Sequence, residues 1–256
     1  MKILKLGQML GGSNTSGGAA GFSNEYSLAF DGVDDYVTMG DVGSTDWNAP
    51  FSLSYWLKRT GVTGVTEVHI AKQETSGNYR GWKTFISGST NKLGFSIRNV
   101  NTSTQKMTIV MSNAITDTDW HHAVFTYDGS GSNTGAKKYF DGVLDTGGTS
   151  SGSVSATTVS TAPLQFAKRS TGTPNADVLL DEVAIFNAVL SAADVTAIYN
   201  SGSATDLSGE SDLFGYWRNG DTAGTSVYPT IEDYSTNSND GTMTNMDSGD
   251  IVTDTP

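Results

Sequence analysis

The segment Phe51-Ser-Leu-Ser-Tyr-Trp-Leu-Lys-Arg59 decides the fold class, because apolar and mostly polar positions alternate along it. Phe51, Leu53, Tyr55 and Leu57 fall on one side, and Ser52, Ser54, Trp56 and Lys58 on the other. A period of two belongs to a β-strand. Working outward, the same texture predicts strands over 23–30 and 35–39 before this segment. After it, strands are expected over 67–73, 82–87, 92–98, 106–112, 120–127, 137–140, 163–168 and 178–186. Asp128-Gly129 and Asp141-Gly142 stand at strand junctions, where glycine tolerates positive φ. One stretch, residues 191–202 (SAADVTAIYNSG), reads as a helix. Ser191 caps its start, Asp194 completes a box-like pair, and Val195, Ile198 and Tyr199 form its apolar face, with Gly202 as the stop. Short strands without interleaved helices predict an all-β sandwich of two antiparallel sheets.

Composition agrees. Thirty glycines among 256 residues suit many turns, while ten Phe, ten Tyr and five Trp supply a core despite only 36% hydrophobic residues. The 27 acids against 15 bases give a net charge of −12, which repels phosphate backbones and excludes nucleic acid as a partner. The same excess leaves two readings open, solubility and cation binding. The chain has no cysteine, so disulfides, thiolate metal sites and Cys nucleophiles are excluded. A disulfide-free surface protein of this size points to a phage particle or a bacterial surface rather than eukaryotic secretion.

At the N-terminus, Lys5, Gly7 and Gln8 interrupt the apolar run that an export signal needs. The stretch GGSNTSGGAAG that follows is a linker by composition. Residues 1–21 are therefore expected to form an attachment arm, with Ile3, Leu4, Leu6, Met9 and Leu10 as its contacts. Residues 22–256 are expected to form one domain. In its segment 213–256, Phe214, Tyr216, Trp217, Tyr228, Ile231 and Tyr234 are too aromatic for a free tail and are expected to pack on the sandwich. No stretch has the length of a membrane span.

Several phrases, in order, resemble the concanavalin A-like, laminin G-like jelly roll. They are Leu28-Ala-Phe-Asp-Gly-Val-Asp-Asp-Tyr-Val37, Phe51–Leu57, Trp120-His-His-Ala-Val-Phe-Thr-Tyr-Asp-Gly129, Lys138-Tyr-Phe-Asp-Gly-Val143, and Leu180-Asp-Glu-Val-Ala-Ile-Phe186 with the helix behind it. Leu213–Arg218 and Asp233–Thr242 resemble the phrase that usually opens such a domain, so a rearranged sandwich is expected, with edge strands supplied from the C-terminus; a truncated second copy of the domain is the other reading. The tail phrases are also similar to domains of phage structural proteins.

The resemblance implies a calcium ion pinning the first strand against the last, with Asp31, Asp34 and Asp181 as ligands; hard carboxylate oxygens on an irregular turn suit that ion. The alternative is that Asp31 and Asp35 only close the turn through their side chains. The fold also hosts glycoside hydrolases, which need two facing carboxylates. None of Glu25, Glu67, Glu74, Glu182, Glu210 and Glu232 has the strand spacing those enzymes use, and Asp181 and Glu182, being adjacent, are expected on opposite faces. His121 and His122 are likewise expected to diverge, one packed inward and one exposed, so no catalytic residue is assigned. Glycan recognition would use rings and amides, and the loop 74–82 offers Asn78, Tyr79, Arg80 and Trp82. Tyr79 and Trp82 covering the sheet is the other reading. The expected function is a non-catalytic virion-surface protein displaying a lectin-like sandwich, with a secreted bacterial adhesin as the alternative. Expected partners are other virion proteins through residues 1–21, cell-surface glycans, and further copies of the chain.

Overall fold

The computed structural model describes residues 22–100, 105–168, 175–221 and 228–256; the expected arm, 1–21, lies outside them. The strands are β1 (Ser27–Asp31), β2 (Tyr36–Thr38), β3 (Phe51–Arg59), β4 (Glu67–Gln73), β5 (Gly81–Ile86), β6 (Lys92–Arg98), β7 (Lys106–Ala114) and β8 (Trp120–Tyr127). They continue with β9 (Ala136–Phe140), β10 (Val143–Leu144), β11 (Thr149–Ser151), β12 (Gln165–Phe166) and β13 (Asp177–Phe186). After helix α1 (Ala192–Tyr199) come β14 (Leu213–Trp217), β15 (Thr230–Ile231), β16 (Gly241–Thr244) and β17 (Ile251–Val252).

Among the described residues these form two antiparallel sheets. One has eight strands, in the order β10-β9-β8-β3-β13-β1-β17, with β14 also paired to β13; the other has nine, in the order β11-β7-β6-β5-β4-β12-β2-β16-β15. The C-terminal segment thus enters both sheets: β17 edges the first beside β1, and β15 edges the second beside β16. Between the sheets lies the main core, where Leu28, Phe51, Leu53, Tyr55, Trp82, Phe95, Phe125, Leu180 and Trp217 are all buried.

The first sheet is buried on both faces. Ser52, Ser54 and Trp56, the outward set of β3, are 0%, 1% and 3% exposed, so this face is not a polar surface. A second cluster covers it, built from Val195 and Ile198 of α1 with Leu190, Leu207, Phe186 and Tyr216. Tyr199 stacks on Trp56, ring centroids 5.7 Å apart. The helix starts as expected, with Ser191 and Asp194 closing a capping box, but its C-cap is Asn200 in the left-handed region, two residues before Gly202. Among the described residues, α1 and its flanking chain leave the outer face of the second sheet uncovered, although the centre of that face is itself buried, with Ala71, Gln73, Ser96 and Gln165 at 2%, 2%, 1% and 6% exposure.

A buried ion pair closes one end of the sandwich. Arg59 Nη2 donates to Glu67 Oε1 at 3.0 Å, and Nη1 donates to the Ile115 carbonyl at 2.7 Å and to Asn91 Oδ1 at 3.2 Å. Both side chains are 1% exposed.

Candidate functional site

The free face of the nine-stranded sheet can be read from its register. Inward-pointing Trp82, Ile97 and Met107 alternate with Lys83, Ser96 and Thr108, which therefore point outward. Successive pairings carry that row across the sheet: Thr230, Thr242, Thr38, Gln165, Ala71, Lys83, Ser96, Thr108 and Ser151. Every member except Ala71 is polar, but at its centre Gln165, Ala71 and Ser96 are buried, as is the Thr108 hydroxyl oxygen, so the open groups are Lys83 and the hydroxyls toward the two edges. One row along, Phe85 pairs with Gly94. A Cβ at Gly94 would stand 2.7 Å from Phe85 Cζ, so the missing side chain lets the ring rest on bare backbone. The Phe85 ring is half-buried, with Lys83 Nζ 5.4 Å from its centroid. A partly open ring with the Lys83 ammonium beside it can stack on one face of a sugar and hydrogen-bond its edge.

The loop between β4 and β5 stands at the rim of this face, and the structure divides its expected ligand residues. Asn78 is exposed, Tyr79 and Arg80 are half-buried, and Tyr79 takes a left-handed φ of 56°. The Arg98 guanidinium of β6 lies over the Tyr79 ring at 5.6 Å, and Arg80 pairs with Glu74 at 3.4 Å. Trp82 does not belong with them: it is 1% exposed, its ring lies 5.7 Å from Phe51, and its indole N–H donates to the Gly43 carbonyl. The expectation for Trp82 is corrected by strand parity, because β5 begins at Gly81 and its even-numbered positions point into the core. Phe85, Gly94, Lys83, Arg98 and Lys106 escaped the sequence reading. Only the outward alternation of Lys83 and Phe85 within 82–87 signals them, and Gly94 becomes meaningful only once paired.

The acidic turn also divides. Ligand oxygens of Asp31, Asp34 and Asp35 all lie within 4.8 Å of one another, a spread that one calcium ion's shell of oxygens can bridge. The side chains also close the turn: Asp31 Oδ1 accepts from the Val33 and Asp34 amides, and Asp35 Oδ2 accepts from the Asp31 amide. Burial, then the nearby Asp31, Asp250 and Asp34 carboxylates, push the Asp35 carboxyl up to about 6, against the Asp31 amide bond, which lowers it. A crowded acid of this kind suits a bound cation. Asp181, expected in the same set, is elsewhere. Asp31 is in register with Asp177 and Leu28 with Leu180, so Asp181 sits four residues further along β13, about 13 Å away at 3.3 Å per residue. There it is fully buried, accepting from Asn24 Nδ2 at 2.9 Å.

A sequence model of the concanavalin A-like lectin/glucanases superfamily, of the Laminin G type, matches residues 31–196. The chain belongs to this superfamily. Among solved structures, the sandwich resembles a Bacteroides ovatus protein described as carbohydrate-binding. That pair shares 12% identity at a TM-score of 0.61, over 87% of this chain and 58% of the other. It also resembles a heptameric SAP-like pentraxin from Limulus polyphemus, at 12% identity and a TM-score of 0.52, over 69% of this chain and 82% of that one. Identities this low establish a shared lectin-like fold alone. A Trypanosoma rangeli sialidase aligns at 14% identity over 62% of this chain and 24% of its own, and its TM-score of 0.45 is too low to carry an argument. No curated protein matches the sequence.

The superfamily spans lectins and glucanases, so the carboxylates and histidines must be located. Asp181 and Glu182 do not diverge as expected. Leu180 and Val183 both enter the main core, and a bulge between Asp181 and Ala184, with Glu182 at φ 48°, turns both acids to the outer side of the eight-stranded sheet. They are 0% and 3% exposed; Glu182 accepts from the Tyr216 hydroxyl and lies 3.4 Å from Arg218. Buried in these bonds, neither acid is open to a polysaccharide. The histidines diverge as expected, but neither is exposed. His122 points outward yet is covered, 1% exposed, bonded to Ser54 at 2.8 Å, tilted against Trp56 and stacked with Tyr199. Half-buried His121 is held between Asp141 at 2.9 Å and Asp117 at 2.8 Å, and these bonds outweigh burial to raise its basicity. Among the described residues, no helix is long and apolar enough to cross a membrane.

Proposed function

We propose that this chain is a non-catalytic, lectin-like module on a virion surface, that the free face of its nine-stranded sheet binds host-cell glycans, and that calcium occupies the turn at Asp31, Asp34 and Asp35. The half-buried Phe85 ring resting on Gly94 beside Lys83 carries the glycan reading, since it pairs a stacking surface with a hydrogen-bond donor. Asn78, Tyr79 and Arg80 form its rim. The non-catalytic reading rests on the burial of Asp181 and Glu182. On a glycan array of neutral and charged oligosaccharides, the protein is expected to retain a defined subset. Phe85→Ala should weaken that binding by about tenfold, equivalent to about 1.4 kcal/mol, with little change in melting temperature. Unaltered binding by the Phe85→Ala protein would move the site off this face.

The virion reading is supported by a composition without disulfides and by the likeness of the tail phrases to phage structural proteins. It assigns residues 1–21 to docking. Deleting them should leave the circular dichroism spectrum and melting temperature unchanged while abolishing incorporation into particles. A truncated protein that unfolds, or still incorporates, would defeat that assignment.

A further inference from the structure

We infer that the glycan recognised on the nine-stranded sheet is anionic, carrying a carboxylate or sulfate. This inference rests on the glycan reading above and adds the charge of the ligand.

The chain is strongly acidic, with a net charge of −12, yet this face is basic. Gly81, Arg98 and Lys106 share one row, and Lys83 stands one row nearer the Phe85 ring, so three cations occupy outward positions on the adjacent strands β5, β6 and β7. Further along the same face, Lys168 Nζ lies 3.8 Å from the centroid of outward-pointing Tyr36. Among the described residues, no aspartate or glutamate occupies an outward position of β2, β12 or β4–β7. Burial and then the Arg98 guanidinium hold the Lys106 ammonium below its usual basicity, so two like charges are kept together here at a cost. An acidic protein that gathers cations around a half-open ring has electrostatics complementary to a negatively charged sugar, and its remaining surface repels such a ligand in other poses. Arg98 and Lys106, paired in register, would take the acidic group, and Lys83 is set to reach a sugar stacked on Phe85.

Two matched pairs of polysaccharides test this by isothermal titration: polygalacturonate against its methyl ester, and dextran sulfate against dextran. At least one charged member should bind about tenfold or more tightly than its neutral counterpart, and the preference should shrink as salt rises from about 0.05 to about 0.3 M. The carboxylate and sulfate arms tell the two acidic groups apart. The Arg98→Gln/Lys106→Gln protein should lose the preference, and Phe85→Ala should weaken the binding by about tenfold. Equal affinity for both members of each pair, weakened by Phe85→Ala, would refute the charge preference and leave a neutral-glycan site standing. Charged-polymer binding that Phe85→Ala leaves undiminished would be nonspecific attraction and would also refute the inference. Failure of all four polymers to bind refutes it too, and the glycan reading then rests on the array alone.

Discussion

Replacing Arg59 with methionine is expected to lower the unfolding free energy by about 3–5 kcal/mol, the usual result of removing one partner of a buried ion pair. Arg59 is 1% exposed, and its guanidinium is the charge that faces Glu67, itself fully buried. Without it, the Glu67 carboxylate keeps the Thr63 hydroxyl at 2.5 Å but has lost its counter-charge, and the Ile115 carbonyl has lost a donor. The double variant Arg59→Met/Glu67→Leu removes both charges and should recover most of the loss. Guanidinium or urea titrations of the single and double variants measure both quantities. A single variant within about 1 kcal/mol of the parent would mean that the pair is not shielded from water.

Calcium is expected to give the second large effect. A ligand held only by the native state stabilises it by RT ln(1 + [L]/Kd), about 4 kcal/mol at a thousandfold excess over Kd. The sign with pH follows from Asp35. Its carboxyl is raised to about 6 in the folded chain from 3.8, so the metal-free native state holds this proton more tightly than the unfolded chain does. The stability Asp35 contributes is present below its unfolded value and is lost as pH rises through about 6. Calcium requires the ionised form, so its stabilisation should be large near pH 7.5 and small near about pH 5. Asp34→Asn should abolish the calcium response while leaving the metal-free melt no lower, because it removes a like charge from Asp35. Melting curves with calcium and with chelator, at both pH values, provide the check. Identical curves at pH 7.5 would exclude an ion at this turn.

The two-sheet architecture was legible because the decisive signal is local. Alternation over 51–59 and 120–127, and the Ser191 and Asp194 cap, depend on neighbours in the chain. What could not be read depends on partners far away in sequence. Trp82 looks available to a sugar until strand parity turns it inward, and Asp181 looks like a ligand of the 31–35 turn until the β1–β13 register separates them. The Glu182 bulge interrupts an alternation that the Leu-Asp-Glu-Val phrase otherwise implies. The strands Val143–Leu144, Thr149–Ser151 and Gly241–Thr244 are too short and too polar or glycine-rich to announce themselves; pairing with the sheet makes them strands. The candidate glycan face was legible only in its rim. Its centre is a long-range match between a ring on β5 and a bare position on β6.

The last strand has a mechanical consequence. β17 lies antiparallel to β1, with Ser27 opposite Val252, and Thr255 donates to the Asn24 carbonyl at 3.3 Å, so the two ends of the described chain meet. Antiparallel hydrogen bonds run across the strands. Tension applied between Phe22 and Pro256 therefore loads those bonds one after another, peeling β17 away like a zip, instead of shearing them all together. Built in series into a fibre, the sandwich would yield at low force. Hung as a pendant from one end, it carries no such load, and the grip of the proposed glycan face is then set by that face alone.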